Sequence, residues 1–272
     1  MINRNAPIGV MDAGLGGYTV VKELQAILPR EDIIFYGDGK NQPYGNRSQE
    51  EILHLTRQCL DFLKEQGVKI VGVACNTIST LIDFYQPDYD FKIFSIVKAG
   101  SDDVVSMGLE QVGVLSTMFT AQSGCYSRLI HQASPGTQVY AQGCPMLARI
   151  IEDGNFDQQR INEELKNTLG HLAAGHPDLD ALILGCTHFP MVLENIQKLY
   201  PQFTYFINPA ATQARQMKEY LEETGGLNPD GQGTFGVYTT SDQKFYYDMT
   251  RYIGLKEPLF VDLVPAPKPL EK

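Results

Sequence analysis

The sequence predicts an α/β protein made of two doubly wound parallel-sheet domains related by pseudo-twofold symmetry. Three observations carry that expectation. Short apolar runs suited to buried strands alternate with segments of helical periodicity, and such alternation implies parallel sheets covered by crossover helices on both faces. Two of these runs, Lys69-Ile70-Val71-Gly72-Val73 and Ala181-Leu182-Ile183-Leu184, lead into similar cysteine loops, Ala74-Cys75-Asn76-Thr77 and Gly185-Cys186-Thr187-His188. The elements before the first loop recur before the second. Ile8-Gly9-Val10-Met11 aligns with Gln111-Val112-Gly113-Val114, and residues 72–77 align with 182–187 at a similar separation, as an internal duplication requires.

The elements follow in order. Ile8-Gly9-Val10-Met11 is a strand running into Asp12-Ala13-Gly14-Leu15-Gly16-Gly17, after which Tyr18, Val21, Leu24, Ile27 and Leu28 recur at helical spacing. The turn lacks a full G-x-G-x-x-G or G-K-[ST] pattern, which disfavours a dinucleotide, but its glycines let backbone approach a small anion. A strand over 32–36 ends in the polar loop 37–46, whose turn-rich composition suits a binding surface. Ser48 and Glu51 form a capping box for a helix that buries Ile52, Leu55, Cys59 and Phe62 or Leu63. After the first cysteine loop come a short helix from Thr77, a strand over 91–96 and a helix from Lys98 that Gly108 closes.

The second set has the same grammar. A strand over 111–115, a polar turn over 116–120, a helix over 121–132, a strand over 138–141 and helices over 145–153 and 156–174 precede the second cysteine strand. A helix over 191–199 and a strand over 203–207 lead to Pro209, placed to start a helix that runs to Glu223. A link over 225–233, a strand over 235–239, a helix opened by Ser241 or Asp242, a strand over 259–263 and a frayed tail over 265–272 complete the chain. The expected division is 1–97 plus 209–272 for the domain carrying Cys75, and 98–208 for the domain carrying Cys186.

Composition limits the function. Of 272 residues, 43% are hydrophobic and 20% charged, the balance of an ordinary globular protein. With 22 basic against 32 acidic residues, net charge −10 and no basic stripe, nucleic acid is not an expected partner. No stretch approaches the roughly 20 apolar residues of a membrane helix, and residues 1–7 have no signal-peptide core, so no membrane association and a cytoplasmic location are expected. Five cysteines form neither a C-x-x-C pair nor an even disulfide set, which predicts free thiols and no zinc site. The sequon Asn46-Arg47-Ser48 is then expected to carry no glycan.

Two thiols at equivalent strand ends can face each other across one interdomain cleft. Racemisation through a carbanion needs that arrangement, because a proton leaves one face of a carbon and returns to the other. A helix N-terminus or a nearby imidazolium brings a thiol toward neutral ionisation. Cys75 and Cys186 each precede an expected helix start, and His188 lies two residues beyond Cys186. Asn76, Thr77 and Thr187 are neutral donors suited to substrate carboxylates. Simpler roles compete: Cys59, Cys125 and Cys144 are expected in the core, and His54, His131, His171 and His176 on helix faces or ends. His188 could equally cap a helix, Asp12 could cap the helix after the glycine turn, and Glu152 could belong to a solvated face.

These blocks resemble the glutamate racemase family of the aspartate/glutamate racemase superfamily. The resemblance runs through residues 9–17, Tyr36-Gly37-Asp38, Pro43-Tyr44-Gly45, Ala74-Cys75-Asn76-Thr77, Gly143-Cys144-Pro145 and residues 184–190. It implies a bacterial enzyme that interconverts L- and D-glutamate without cofactor or metal, supplying D-glutamate for peptidoglycan. Cys75 and Cys186 are then the proton donor/acceptors, assisted by Asp12, Glu152 and His188. Asp12, Ala13, Pro43, Tyr44, Gly45, Asn76, Thr77, Thr187 and His188 are the implied substrate-binding set. Ala13 stands where the family usually has Ser, Ile78 where a small residue is usual, and Asn208-Pro209 where Asp-Ser is common, which bears on substrate preference. Aspartate racemisation is the nearest alternative, followed by a non-catalytic binder of an anionic amino acid and a one-cysteine hydrolase using His188. Assembly as a homodimer is compatible with such an enzyme.

Overall fold

Strands that are buried along their whole length need cover on both sheet faces, and β1 (Ile8–Asp12) is such a strand. The computed structural model describes residues 2–154 and 156–270; the first residue and the last two of the tail fall outside them. After β1 come α1 (Tyr18–Ile27), β2 (Ile33–Gly37), α2 (Gln49–Glu65), β3 (Ile70–Val73), α3 (Asn76–Ser79), α4 (Ile82–Tyr85), β4 (Lys92–Ser95) and α5 (Ile96–Met107). The second set holds β5 (Gln111–Ser116), α6 (Met118–Gln122), α7 (Cys125–Ala133), β6 (Gln138–Gly143), α8 (Leu147–Glu152), α9 (Gln158–Gly175), β7 (Ala181–Gly185), α10 (Leu193–Leu199) and β8 (Tyr205–Ile207). The remainder is α11 (Pro209–Glu223), β9 (Phe235–Thr239), α12 (Gln243–Ile253) and β10 (Phe260–Leu263).

Two sheets result, of six strands in the order β10-β9-β2-β1-β3-β4 and four in the order β6-β5-β7-β8. All ladders between them are parallel. The run β2-β1-β3-β4 matches β6-β5-β7-β8 position for position, the topology of a duplicated unit. Its register corrects the sequence alignment by one residue. Gly9 pairs with Val71 of β3, and Gly113 pairs with Leu182 of β7, so Gly9 corresponds to Gly113, whereas the sequence alignment set Val10 against it. Counting four residues on from Val71 and from Leu182 reaches Cys75, two residues beyond the end of β3, and Cys186, one beyond the end of β7. One apolar cluster runs through both sheets by way of Val97 and Val104 on α5 and Ala210 and Ala214 on α11.

Local signals explain most element ends. The Ser48 hydroxyl accepts from the Glu51 amide while the Glu51 carboxylate accepts from the Ser48 amide, the reciprocal pair that starts α2. Gly108, at φ 64°, closes α5 in the left-handed region. Asn208 accepts from the Ala210 amide ahead of Pro209, and Asp242 rather than Ser241 caps α12.

Three expectations are corrected. The single helix over 121–132 is two, α6 and α7, because Gly124 takes a left-handed conformation between them. No α-helix starts directly after Cys186; a 3-10 turn over Phe189–Val192 follows, with His188 at its N-cap. The tail is docked through residue 268, since Asn41 Nδ2 donates to the Pro267 carbonyl and Gln58 exchanges two hydrogen bonds with the Lys268 backbone. Asp12 is also not a helix cap, for Gly17 is the N-cap of α1 and no side chain caps it.

Candidate active site

The carboxyl ends of β1, β3 and β7 bring Asp12, Cys75 and Cys186 to one small cavity, the place where parallel sheets present ligand groups. Its walls are Asp12, Ala13, Gln42, Pro43, Tyr44, Gly45, Cys75, Asn76, Thr77, Thr117, Ala148, Cys186, Thr187 and His188. Its volume is about 30 Å³, enough for a water or two, so an amino acid requires the walls to part. A roomier groove of about 540 Å³ lies between α5, α7 and α11, but neither candidate catalytic thiol borders it.

The two sulfurs stand in different electrostatic surroundings. On one side, Cys186 Sγ lies 3.7 Å from His188 Nδ1, and His188 Nε2 lies 2.6 Å from Glu152 Oε2. Burial disfavours charge on the His188 ring, yet the hydrogen bonds and negative charge of Cys186 and Glu152 outweigh it and hold the ring's pKa well above its usual 6.5. On the other side, burial and then the Asp12 charge push the Cys75 thiol well above its ordinary value, with the Ile78 and Ala13 amides in partial opposition. Cys75 therefore rests as a thiol.

Asp12 joins the two sides. Its Oδ1 accepts from the Ala13 amide at 2.7 Å and its Oδ2 from the Thr187 hydroxyl at 2.9 Å. Burial raises its pKa from 3.8 to about 6, while the positive His188 ring, the Thr187 hydroxyl and the Ala13 amide hold it from rising further. The glycine turn does approach an anion, and that anion is the protein's own Glu152. The Leu15 amide lies 3.2 Å from both Glu152 oxygens. A Cβ on Gly14 would stand 2.7 Å from Glu152 Oε2, and one on Gly16 would overlap the Thr187 hydroxyl; only glycine admits these approaches.

The expected site residues converge with two qualifications. Glu152 does not border the cavity and reaches it through His188. Tyr44 borders it, but its phenol turns away to donate to Asp38 Oδ2 at 2.7 Å, beside Cys59. Ile78 is packed in the core, and Asn208 caps α11; neither borders the cavity, whereas Ala13 does. Cys59, Cys125 and Cys144 are buried outside it. Residues not singled out from sequence are Gln42, Thr117 and Ala148, together with Tyr246, whose hydroxyl lies 3.5 Å from Glu152 Oε1. Thr117 could have been found: it follows β5, the duplicate of β1, and so corresponds to the Asp12 turn. Its hydroxyl meets that of Thr77 at 2.9 Å.

Among the described residues no group of three or more His, Cys, Asp or Glu could hold a metal ion, and no helix is long and apolar enough to cross a membrane.

A parallel α/β pair of sheets with two cysteines bordering one cavity suits proton transfer to either face of a carbon, and comparison with known proteins gives the family. Residues 8–217 match the model of the Asp/Glu/Hydantoin racemase family, and the chain belongs to that family. It is 36% identical to the glutamate racemase of Thermoanaerobacter pseudethanolicus over 87% of this chain and 89% of that protein. Among solved structures it superposes with TM-score 0.88 and 32% identity on glutamate racemase from Francisella tularensis in complex with D-glutamate, covering 97% of this chain and 99% of that one. A glutamate racemase isoform from Bacillus anthracis gives TM-score 0.89 at 29% identity, covering 97% and 99%.

Proposed function

We propose that this isomerase interconverts L- and D-glutamate by moving a proton at Cα between Cys75 and Cys186. The observation that carries the reading is that both sulfurs border one small cavity, Cys186 beside the buried His188–Glu152 pair and Cys75 under the charge of buried Asp12. One sulfur removes the Cα proton from one face, and the other gives a proton to the opposite face. The first sulfur ends as thiol and the second as thiolate, so each turnover exchanges their states. His188, backed by Glu152, takes up or returns a proton beside Cys186, and Asp12 serves the Cys75 side. The Asn76 amide and the Thr77 and Thr187 hydroxyls are the donors for the carboxylates. A carboxylate held by neutral donors spreads the charge that develops on deprotonating Cα. Thr187 is already committed to Asp12 and Thr77 to Thr117, so substrate is expected to exchange partners with them as the cavity opens.

By the family resemblance, Ala13 stands where a serine is usual, which removes one hydroxyl donor. One neutral hydrogen bond is worth about 0.5–1.5 kcal/mol, which alters affinity without removing the chemistry. The division of the chain at 97/98 and 208/209 belongs to the same proposal, with α5 and α11 at the junction.

The test is Cα deuterium incorporation from heavy water into L- and D-glutamate, with aspartate in parallel. Interconversion with exchange on glutamate is expected, and Cys75→Ser or Cys186→Ser should each lower it by about 10²–10⁴. Wild-type rates in either variant would refute the two-thiol scheme. Faster turnover of aspartate would reassign the substrate.

A further inference from the structure

Tyr126, on α7, is almost wholly buried and lies outside the walls of the cavity. Its hydroxyl sits 2.7 Å from Asn76 Oδ1. Asn76, which is 2% exposed and borders the cavity, has its Nδ2 buried with no hydrogen-bond partner among the described residues. A buried amide N–H left without an acceptor is costly. Placed at the wall of a site for a dicarboxylic amino acid, it marks where an acceptor oxygen belongs.

An asparagine amide can turn either end toward that site, and the two ends have opposite effects on a carboxylate. The tyrosine decides between them. Burial keeps the phenol pKa well above 10, so the hydroxyl always carries a proton to donate. Among the described residues Asn76 Oδ1 is the only hydrogen-bond acceptor it has. If the amide turned over, the phenol would face Nδ2 and lose its acceptor, and Oδ1 would face the substrate carboxylate. The ring itself is confined: a Cβ on Gly100 of α5 would lie 3.2 Å from the ring and hydroxyl of Tyr126.

We infer that Tyr126 is a positioning residue for substrate binding, holding the Asn76 amide so that Nδ2 faces the cavity as a carboxylate donor. This rests on the proposed racemase reading. It also ties the second sheet's α7 to the first sheet's α3, so the donor is set only when the two halves are in the arrangement seen here.

The experiment is steady-state racemisation of both glutamate enantiomers by the full chain, its Tyr126→Phe and Asn76→Ala variants, and the double variant. Tyr126→Phe should raise KM about 3- to 10-fold for both enantiomers, the effect of one misdirected hydrogen bond, with kcat within about two-fold. In the Asn76→Ala background the same substitution should leave KM unchanged, because nothing remains to be oriented; a coupling of this kind is what a double-mutant cycle reads. An unchanged KM in Tyr126→Phe, or an equal rise with and without Asn76, overturns the inference. Should Tyr126→Phe fold poorly, Asn76→Asp keeps it testable: it presents an oxygen to the substrate and should raise KM more than Asn76→Ala does, and a smaller rise counts against it. Absence of glutamate turnover in the unmodified chain would instead overturn the racemase reading itself.

Discussion

Asp12 concentrates the electrostatics of the site in one side chain. It is 1% exposed, touches the Ala13 amide and Thr187, and titrates near 6 because burial outweighs its favourable neighbours. In the proposed scheme, below that pH the carboxyl is protonated and cannot take a proton from the Cys75 side, and above it the carboxylate can. The expected outcome is a kcat/KM that rises with pH through about 6. Asp12→Asn should lower the rate and lose that acid limb, and a limb unchanged in the variant would assign it to another group. The sequence placed Asp12 at the end of a buried strand and left cap or catalyst open. The structure removes the cap, since the N-cap of α1 lies five residues further on, at Gly17.

At the scale of elements, local chemistry and distant packing contribute separately. The capping box at Ser48 is local, and its loss should be local in effect. Ser48→Ala is expected to destabilise the protein by about 1 kcal/mol, read as a lower urea midpoint, with kcat unaltered because α2 carries no cavity residue. A change in kcat would mean that α2 holds the substrate loop more tightly than its contacts indicate. The two cysteine loops show the other contribution. Cys75 stands at the N-cap of α3, but Cys186 is followed by a turn in which His188 reaches Glu152 before the 3-10 segment starts. Pro190 fits the first turn of that segment, and an α-helix begins only at Leu193. Equivalent strands thus end in loops with different proton partners.

Across the whole molecule, the ends of the first sheet opposite the cavity are tied by a buried ion pair. Lys69 Nζ lies 2.5 Å from Glu31 Oε2 and also donates to the carbonyls of Arg4 and Gly226, while Glu31 Oε1 accepts from the Asn228 amide. The pair fastens the N-terminal segment and the link after α11 to the start of β3. Lys69→Met leaves Glu31 buried without its cation, a loss of about 3–5 kcal/mol, large beside the roughly 5–15 kcal/mol that holds a domain folded. Urea unfolding should show that loss, and a midpoint within error of the parent chain would contradict it. The tail and the loop over 37–46 are coupled in the same way. Asn41 bridges Asp38 to the Pro267 carbonyl, so a segment that composition marks as frayed becomes part of the fold.

By itself the sequence determined the alternation of strands and helices, the duplication, and the placing of a thiol after each of two matched strands. Those properties are periodic or local, and they survive in any chain with the same pattern of apolar, glycine and capping residues. It also exposed most of the cavity wall, because the wall lies within a few residues of strand ends. Only the tertiary structure decided which groups meet. Glu152 comes to Leu15 and His188, Thr187 to Asp12, Tyr126 to Asn76, and Thr117 to Thr77. Each of these pairs joins segments far apart in the chain. Their partners are set by how the two sheets pack through α5 and α11, and no spacing along the sequence encodes that distance.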